Sequence, residues 1–101
     1  MAQQYYVYIM TNLRKTVLYA EVTNDLTKRV WQHRKGQGGR FTQKYHCSKL
    51  VLYEVYQDPY NAIAREKQIK AGSRSRKVEL IERMNPGWRD LYDDIARAQT
   101  N

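Results

Sequence analysis

A single cysteine, Cys47, stands among the 101 residues. No internal disulfide can form, and one lone thiol fits a reducing, cytoplasmic compartment. Cys47 reads as a small, partly buried side chain rather than a nucleophile. Long apolar runs are also missing. None approaches the ~20 residues that span a bilayer. Met1-Ala2-Gln3-Gln4 offers neither the basic start nor the apolar stretch of a secretory leader, so no membrane association is expected. Only two histidines occur, His33 and His46, and no Cys and His cluster has zinc-site spacing. Gly36, Gly38 and Gly39 are not followed by the Lys-Ser or Lys-Thr of a phosphate loop. No serine sits on a nucleophile elbow. There is no internal repeat and no low-complexity linker. The length allows one small domain with a modest core.

The most consequential absence is of acid. From Leu26 to Tyr53 there is no Asp or Glu, while the same stretch holds Lys28, Arg29, Arg34, Lys35, Arg40, Lys44 and Lys49. Arg65, Lys67, Lys70, Arg74, Arg76 and Lys77 follow. The tail then turns acidic with Glu79, Glu82, Asp90, Asp93 and Asp94. Net charge is +8. So concentrated a block can hold a polyanion through phosphate contacts and counterion release. Nucleic acid is the partner this predicts.

Aromatic and β-branched residues dominate two early segments, Tyr5–Met10 and Val17–Thr23, with turn residues between them, which predicts a hairpin. Alternation puts Tyr6, Tyr8 and Met10 on one face of the first strand. It groups Val17, Tyr19, Glu21 and Thr23 on the second. A helix capped by Thr23 or Asn24 follows, with Leu26, Val30 and Trp31 as its apolar stripe and Gly36 as its stop. Residues 37–46 read as a flexible basic loop. Leu50–Tyr56 reads as a third strand, alternating Leu50, Leu52, Glu54 and Tyr56 against Val51, Tyr53 and Val55. Asp58-Pro59 opens a second helix, and Ser73 or Ser75 a third, which Pro86 ends. Trp88, Leu91, Tyr92 and Ile95 form a lid. The fold class is therefore α/β (α+β), a small three-stranded antiparallel sheet flanked by helices. One domain spans 1–95, and 96–101 form a frayed tail.

Within this frame some side chains carry chemistry. Arg29 and His33, four apart, share a helical face. Ala62, Ile63, Glu66 and Ile69 share another, which sets the Glu66 carboxylate in an apolar stripe. Buried charge there needs an ion-pair partner or a metal, and pattern alone favours neither. Phe41 and Tyr45 can stack on an exposed base or pin their loop to the core.

The ordered set resembles the GIY-YIG nuclease superfamily. Val7-Tyr8-Ile9 matches its first tripeptide and Tyr19-Ala20-Glu21 its second. Arg29 falls ten residues after the second tyrosine, His33 four residues later, and Ala64-Arg65-Glu66-Lys67-Gln68 matches the metal-binding glutamate. Met84-Asn85-Pro86-Gly87-Trp88-Arg89-Asp90-Leu91-Tyr92 adds to the likeness, which is greatest to small stand-alone bacterial members related to the excinuclease C nuclease domain. One departure matters: Glu21 replaces the motif glycine. It can pair with Arg29, add a metal ligand or repel phosphate.

The resemblance implies a divalent-metal-dependent DNA endonuclease acting in repair or recombination, with Tyr8, Tyr19, Arg29, His33 and Glu66 catalytic. Glu66 would hold Mg²⁺ (or Mn²⁺), Arg29 would grip phosphate, and Tyr8, partnered by His33, would position or deprotonate water. Tyr19 would orient water or phosphate. Lys28, Arg34, Lys35, Arg40, Lys44, Tyr45, Lys70, Arg74 and Arg76 are the expected nucleic-acid contacts, on a monomer or weak homodimer. The rival expectation is a nucleic-acid-binding module of the same fold, silenced by Glu21.

Overall fold

A computed structural model describes residues 3–98. Strand β1 (Tyr5–Thr11) is central in a three-stranded antiparallel sheet, between β2 (Leu18–Thr23) and β3 (Lys49–Tyr56). The helices are α1 (Leu26–Arg34), α2 (Arg40–Lys44), α3 (Pro59–Ala71), α4 (Arg74–Met84) and α5 (Tyr92–Ala98). The β1–β2 turn closes through Asn12, whose carbonyl accepts from Lys15 N and whose side chain accepts from Thr16 N. That turn fixes the register in which Tyr8 faces Glu21 and Met10 faces Tyr19.

Each sheet face has its own core. Val7, Ile9 and Ala20 pack with Ala62 and Ile69 of α3, Ile81 of α4 and Trp88. Tyr8 and Met10 pack with Leu26 and Val30 of α1, Cys47, Leu50 and Ile95 of α5. The alternation expected for β1 and β2 holds. That of β3 does not: a bulge lies opposite Ile9 and Met10, so Val51 and Leu52 both join the first core while Leu50 and Tyr53 join the second. One extra residue shifts the pleat by one and exchanges the faces beyond it.

The tail explains how the bulge is tolerated. Asn85, buried at the end of α4, donates to Val51 O (3.1 Å) and Arg89 O (2.8 Å) and accepts from Arg89 N. Leu91 N then donates to Leu50 O at 2.8 Å, and Asp90 accepts from Leu50 N. The chain thus wraps the β3 edge, leaving Trp88 on one face and Leu91, Tyr92 and Ile95 on the other. The expected lid is a clasp around an edge strand, which would otherwise expose unpaired backbone.

Further corrections follow from local chemistry. Asp25, not Thr23 or Asn24, caps α1 by accepting from Lys28 N. Trp31 lies outward with Lys35 over its ring, and His33 takes the buried place in the stripe. The loop 37–46 contains α2. The frayed segment expected from residue 96 is helical through Ala98, with Arg97 3.5 Å from Asp94; positions 99–101 lie outside the described residues. No helix among those described is long and apolar enough to cross a membrane.

Asn85→Ala leaves the Val51 and Arg89 carbonyls without their donor. It should cost about 1–3 kcal/mol, read as a lower midpoint in urea unfolding with the far-UV spectrum retained.

Candidate active site

The β1–β2 register places Tyr8 and Glu21 directly opposite, and Tyr19 lies two residues along on the same face. Helix α1 crosses this face and adds Arg29 and His33. The result is a cluster built around the Glu21 carboxylate. Oε1 accepts from the Tyr8 hydroxyl, in a short contact, and from Arg29 Nε at 2.8 Å. Oε2 accepts from the Tyr19 hydroxyl at 2.7 Å and Arg29 Nη2 at 3.2 Å. Arg29 also donates to Gly38 O (2.7 Å) and Gln32 Oε1 (3.2 Å). Of the three roles open to Glu21, the structure shows the pairing with Arg29.

His33 is buried, with Nε2 2.9 Å from the Tyr8 oxygen and Nδ1 2.9 Å from Thr42 Oγ1. The Thr42 hydroxyl points to Gly39 O, so the network assigns Nδ1 as the donor to Thr42. Nε2 then faces Tyr8, whose one proton has two acceptors, Glu21 Oε1 and His33 Nε2. The imidazole is 3.8 Å from Oε1 itself, beyond hydrogen-bond length.

The electrostatics follow from burial around one negative charge. Burial alone would raise the Glu21 carboxyl. The hydrogen bonds it accepts from Arg29, Tyr8 and Tyr19 together outweigh that and hold it well below the usual carboxylate range. The phenols move the other way. Burial first, then the bond to Glu21, drives Tyr8 far above an ordinary tyrosine, and the same causes push Tyr19 up to about 12. Both phenols are therefore held protonated near neutrality, the opposite of what a general base needs.

Glu66 stands apart from this cluster. Its side chain is 14% exposed and its ion pair is with Lys70, 3.2 Å away on the same helix. It still contributes to raising Tyr19, so its charge is within electrostatic reach of that phenol. Among the described residues no group of three or more acidic, His or Cys side chains converges on a metal-sized space.

The expected nucleic-acid contacts divide by use. Arg34 pairs with Asp90 at 2.8 Å and lies over the Tyr92 ring, tying α1 to the tail. Lys70 holds Glu66, Arg74 donates to the carbonyls of Lys15 and Thr16, and Lys35 sits over Trp31. Lys28, Arg40 and Arg76 are exposed, and Lys44 lies over the exposed Tyr45 ring.

Sequence reasoning missed three positions. Thr42 orients His33, and Gln32 steadies Arg29. Gly38 lets the loop pass against the imidazole: a Cβ there would stand 2.0 Å from His33 Nδ1. Only the cluster of glycines hinted at such an approach.

With this arrangement in place, comparison with known proteins gives its class. The model of the GIY-YIG catalytic domain matches residues 4–79. The chain belongs to that family. It is similar to a UPF0213 protein of Staphylococcus saprophyticus, 33% identical over 78 residues, covering 77% of this chain and 94% of that one. A UPF0213 protein of Clostridium perfringens is 37% identical over 76 residues, covering 75% and 81%. The solution NMR structure of a UPF0213 protein from Bacillus halodurans shares the fold, with a TM-score of 0.56 at 24% identity over 87% of this chain and 93% of that one.

Two predictions follow from this geometry. Gly38→Ala should expel His33 from its place, moving its imidazole NMR resonances and costing about 1–3 kcal/mol through overpacking. The second concerns pH. Glu21 titrates lower in the folded protein than its ordinary value of 4.5, so its stabilisation is complete above that value and drains away as pH falls below it. The tyrosines act oppositely, stabilising below their ordinary value of 10.0 and losing that contribution above it. Thermal melts should show a steep acid limb that Glu21→Gln flattens; an identical limb in that variant would contradict the assignment.

Proposed function

We propose that this chain is a DNA-binding member of the GIY-YIG nuclease family whose phosphodiester-hydrolysing site is held shut by its own Glu21. One observation carries the reading: both oxygens of the Glu21 carboxylate are taken by Tyr8, Tyr19 and Arg29, the groups that would meet a phosphate and its attacking water. The guanidinium fork that suits a phosphate is already satisfied. A phosphodiester arriving beside it meets a fixed negative charge. Two unit charges about 4 Å apart cost about 4 kcal/mol at an effective dielectric of 20, near three orders of magnitude in occupancy.

The catalytic parts themselves support descent from a DNA endonuclease. With Glu21 removed, Arg29 would be free to bind phosphate. The Tyr8 proton would have His33 Nε2 as its remaining acceptor, 2.9 Å away. Tyr19 would turn its hydroxyl to water or phosphate. Glu66 suits a divalent cation of the Mg²⁺ or Mn²⁺ kind: it is an oxygen donor, mostly buried, ion-paired with Lys70. Such an ion, when bound, supplies Lewis-acid polarisation of the phosphate and support for the leaving oxygen.

The second reading is an active metal-dependent endonuclease of DNA repair or recombination in the cytoplasm. It is favoured by the convergence of Tyr8, Tyr19, Arg29 and His33. It requires Glu21 to leave Arg29 when DNA arrives.

A cleavage assay over labelled single-stranded, duplex and branched DNAs, with Mg²⁺, Mn²⁺ or EDTA, separates the two. Glu21→Gly should cut on the order of 10² to 10³ times faster than the wild type, with wild-type binding retained. Adding Glu66→Ala to that variant should abolish the gain. Equal cutting by wild type and Glu21→Gly would sink the closed-site reading. Cutting that survives Glu66→Ala would sink the metal assignment.

A further inference from the structure

We infer that Phe41 and Tyr45 form a stacking platform for an unpaired base of single-stranded DNA, beside Tyr19. The inference rests on the reading that nucleic acid enters at this site, and it names the form of DNA the site receives.

Both rings are large, apolar and open to solvent, Phe41 43% and Tyr45 38% exposed. Phe41 lies on α2 and Tyr45 is the residue that caps its C-terminus, with ring centroids 4.8 Å apart and planes tilted by 50°. Phe41 in turn stacks on Tyr19 at 5.4 Å and 25° between planes. A ladder of three rings therefore leads outward from the catalytic cluster. Stacking on Tyr19 anchors Phe41 on one side only, and both rings keep more than a third of their surface open to solvent. The buried residue of α2 is Thr42, fixed to His33 and Gly39, whereas Phe41 and the capping Tyr45 remain exposed.

The surroundings carry one sign of charge. A cleft of about 310 Å³ runs along the two rings to the β1–β2 turn, and Arg74 and Lys77 line its far wall. No acidic side chain among the described residues lines it. Lys44 lies 5.3 Å from the centroid of the Tyr45 ring, and Arg40 is exposed on the same short helix. Aromatic faces interleaved with cations are the arrangement that holds single strands: bases stack on the rings and phosphates meet the cations. A paired base keeps its faces inside the duplex and cannot use these rings.

Fluorescence anisotropy tests this with a labelled single strand of about twelve nucleotides and its blunt duplex, using wild type, Tyr45→Ala and Phe41→Leu. The leucine keeps an apolar contact for Tyr19 while removing the ring, and circular dichroism checks folding. Wild type should prefer the single strand. Each variant should weaken single-strand binding on the order of 5- to 100-fold while duplex binding changes by less than about twofold. Unchanged single-strand binding, or equal losses on both DNAs, would overturn the platform and leave the DNA-binding reading standing. Wild type that binds neither DNA would overturn both.

Discussion

A half-buried carboxylate on a central hairpin has to be neutralised, and the arrangement of the second face follows from that need. Glu21 is 19% exposed at its side chain, and an unpaired charge so placed would carry a heavy desolvation cost. Tyr8 and Tyr19 come from the sheet itself. Arg29 has to come from α1, so the helix is held at a fixed rotation over the strands. That rotation is what drives His33 inward onto Tyr8. The Arg29 guanidinium also grips Gly38 O, which draws the 37–39 loop over the imidazole and leaves room only for a glycine. One ion pair thus aligns helix, strand and loop. Removing one partner of such a pair costs more than the pair contributes, because the other is left buried and unmatched.

The opposite side of the sheet sends only the Glu66 charge of α3 toward this chemistry and otherwise serves as ballast. Its core is Val, Ile, Ala and Leu against α3 and α4, closed by Trp88. The bulge in β3 links the two sides. Without it Leu50 and Leu52 would occupy one face together. With it, Leu50 supports Met10 and Tyr8 from the side while Val51 and Leu52 fill the space under α3. Asn85 makes the bulge affordable by satisfying its carbonyl, and the segment 85–91 then wraps the edge to bring α5 onto α1. The acidic tail belongs to this clasp as well: Asp90 meets Arg34, and Asp94 meets Arg89.

How much of this was legible depended on whether the information was local. Strand alternation marked the faces of Tyr8 and Tyr19, since a period of two is written directly in the residues. Asp58-Pro59 announced α3 because both act on their own backbone. The β3 bulge was hidden, because an extra residue looks like any other apolar residue until its partner strand is known. Trp31 and His33 were exchanged for a similar reason. Size argued that tryptophan should be buried, but the partners that draw His33 inward, Tyr8 and Thr42, lie 25 and 9 residues away in the chain. The role of Glu21 was visible as a set of options and no further. Choosing among them required the hairpin register that sets it against Tyr8 and the helix rotation that brings Arg29 to it.

That choice bears on how binding and cutting relate in this chain. On the proposed reading, the attraction for a polyanion would reside in cations spread over α1, α2 and the α3–α4 turn. Glu21 lies outside the acid-free stretch and neutralises just one of them. Arg29 is the cation at which phosphate would have to sit for reaction. Long-range attraction falls off over a Debye length of about 8 Å at physiological salt, so a cation at the periphery still draws the strand in whether or not Arg29 is filled. Hydrolysis has no such redundancy, because it needs one guanidinium and one phenol within hydrogen-bond reach of one phosphate. On the proposed reading, a single carboxylate at position 21 would therefore silence the reaction while leaving the cationic surface almost unaltered. The lowered carboxyl and raised phenols are two views of that one occupancy.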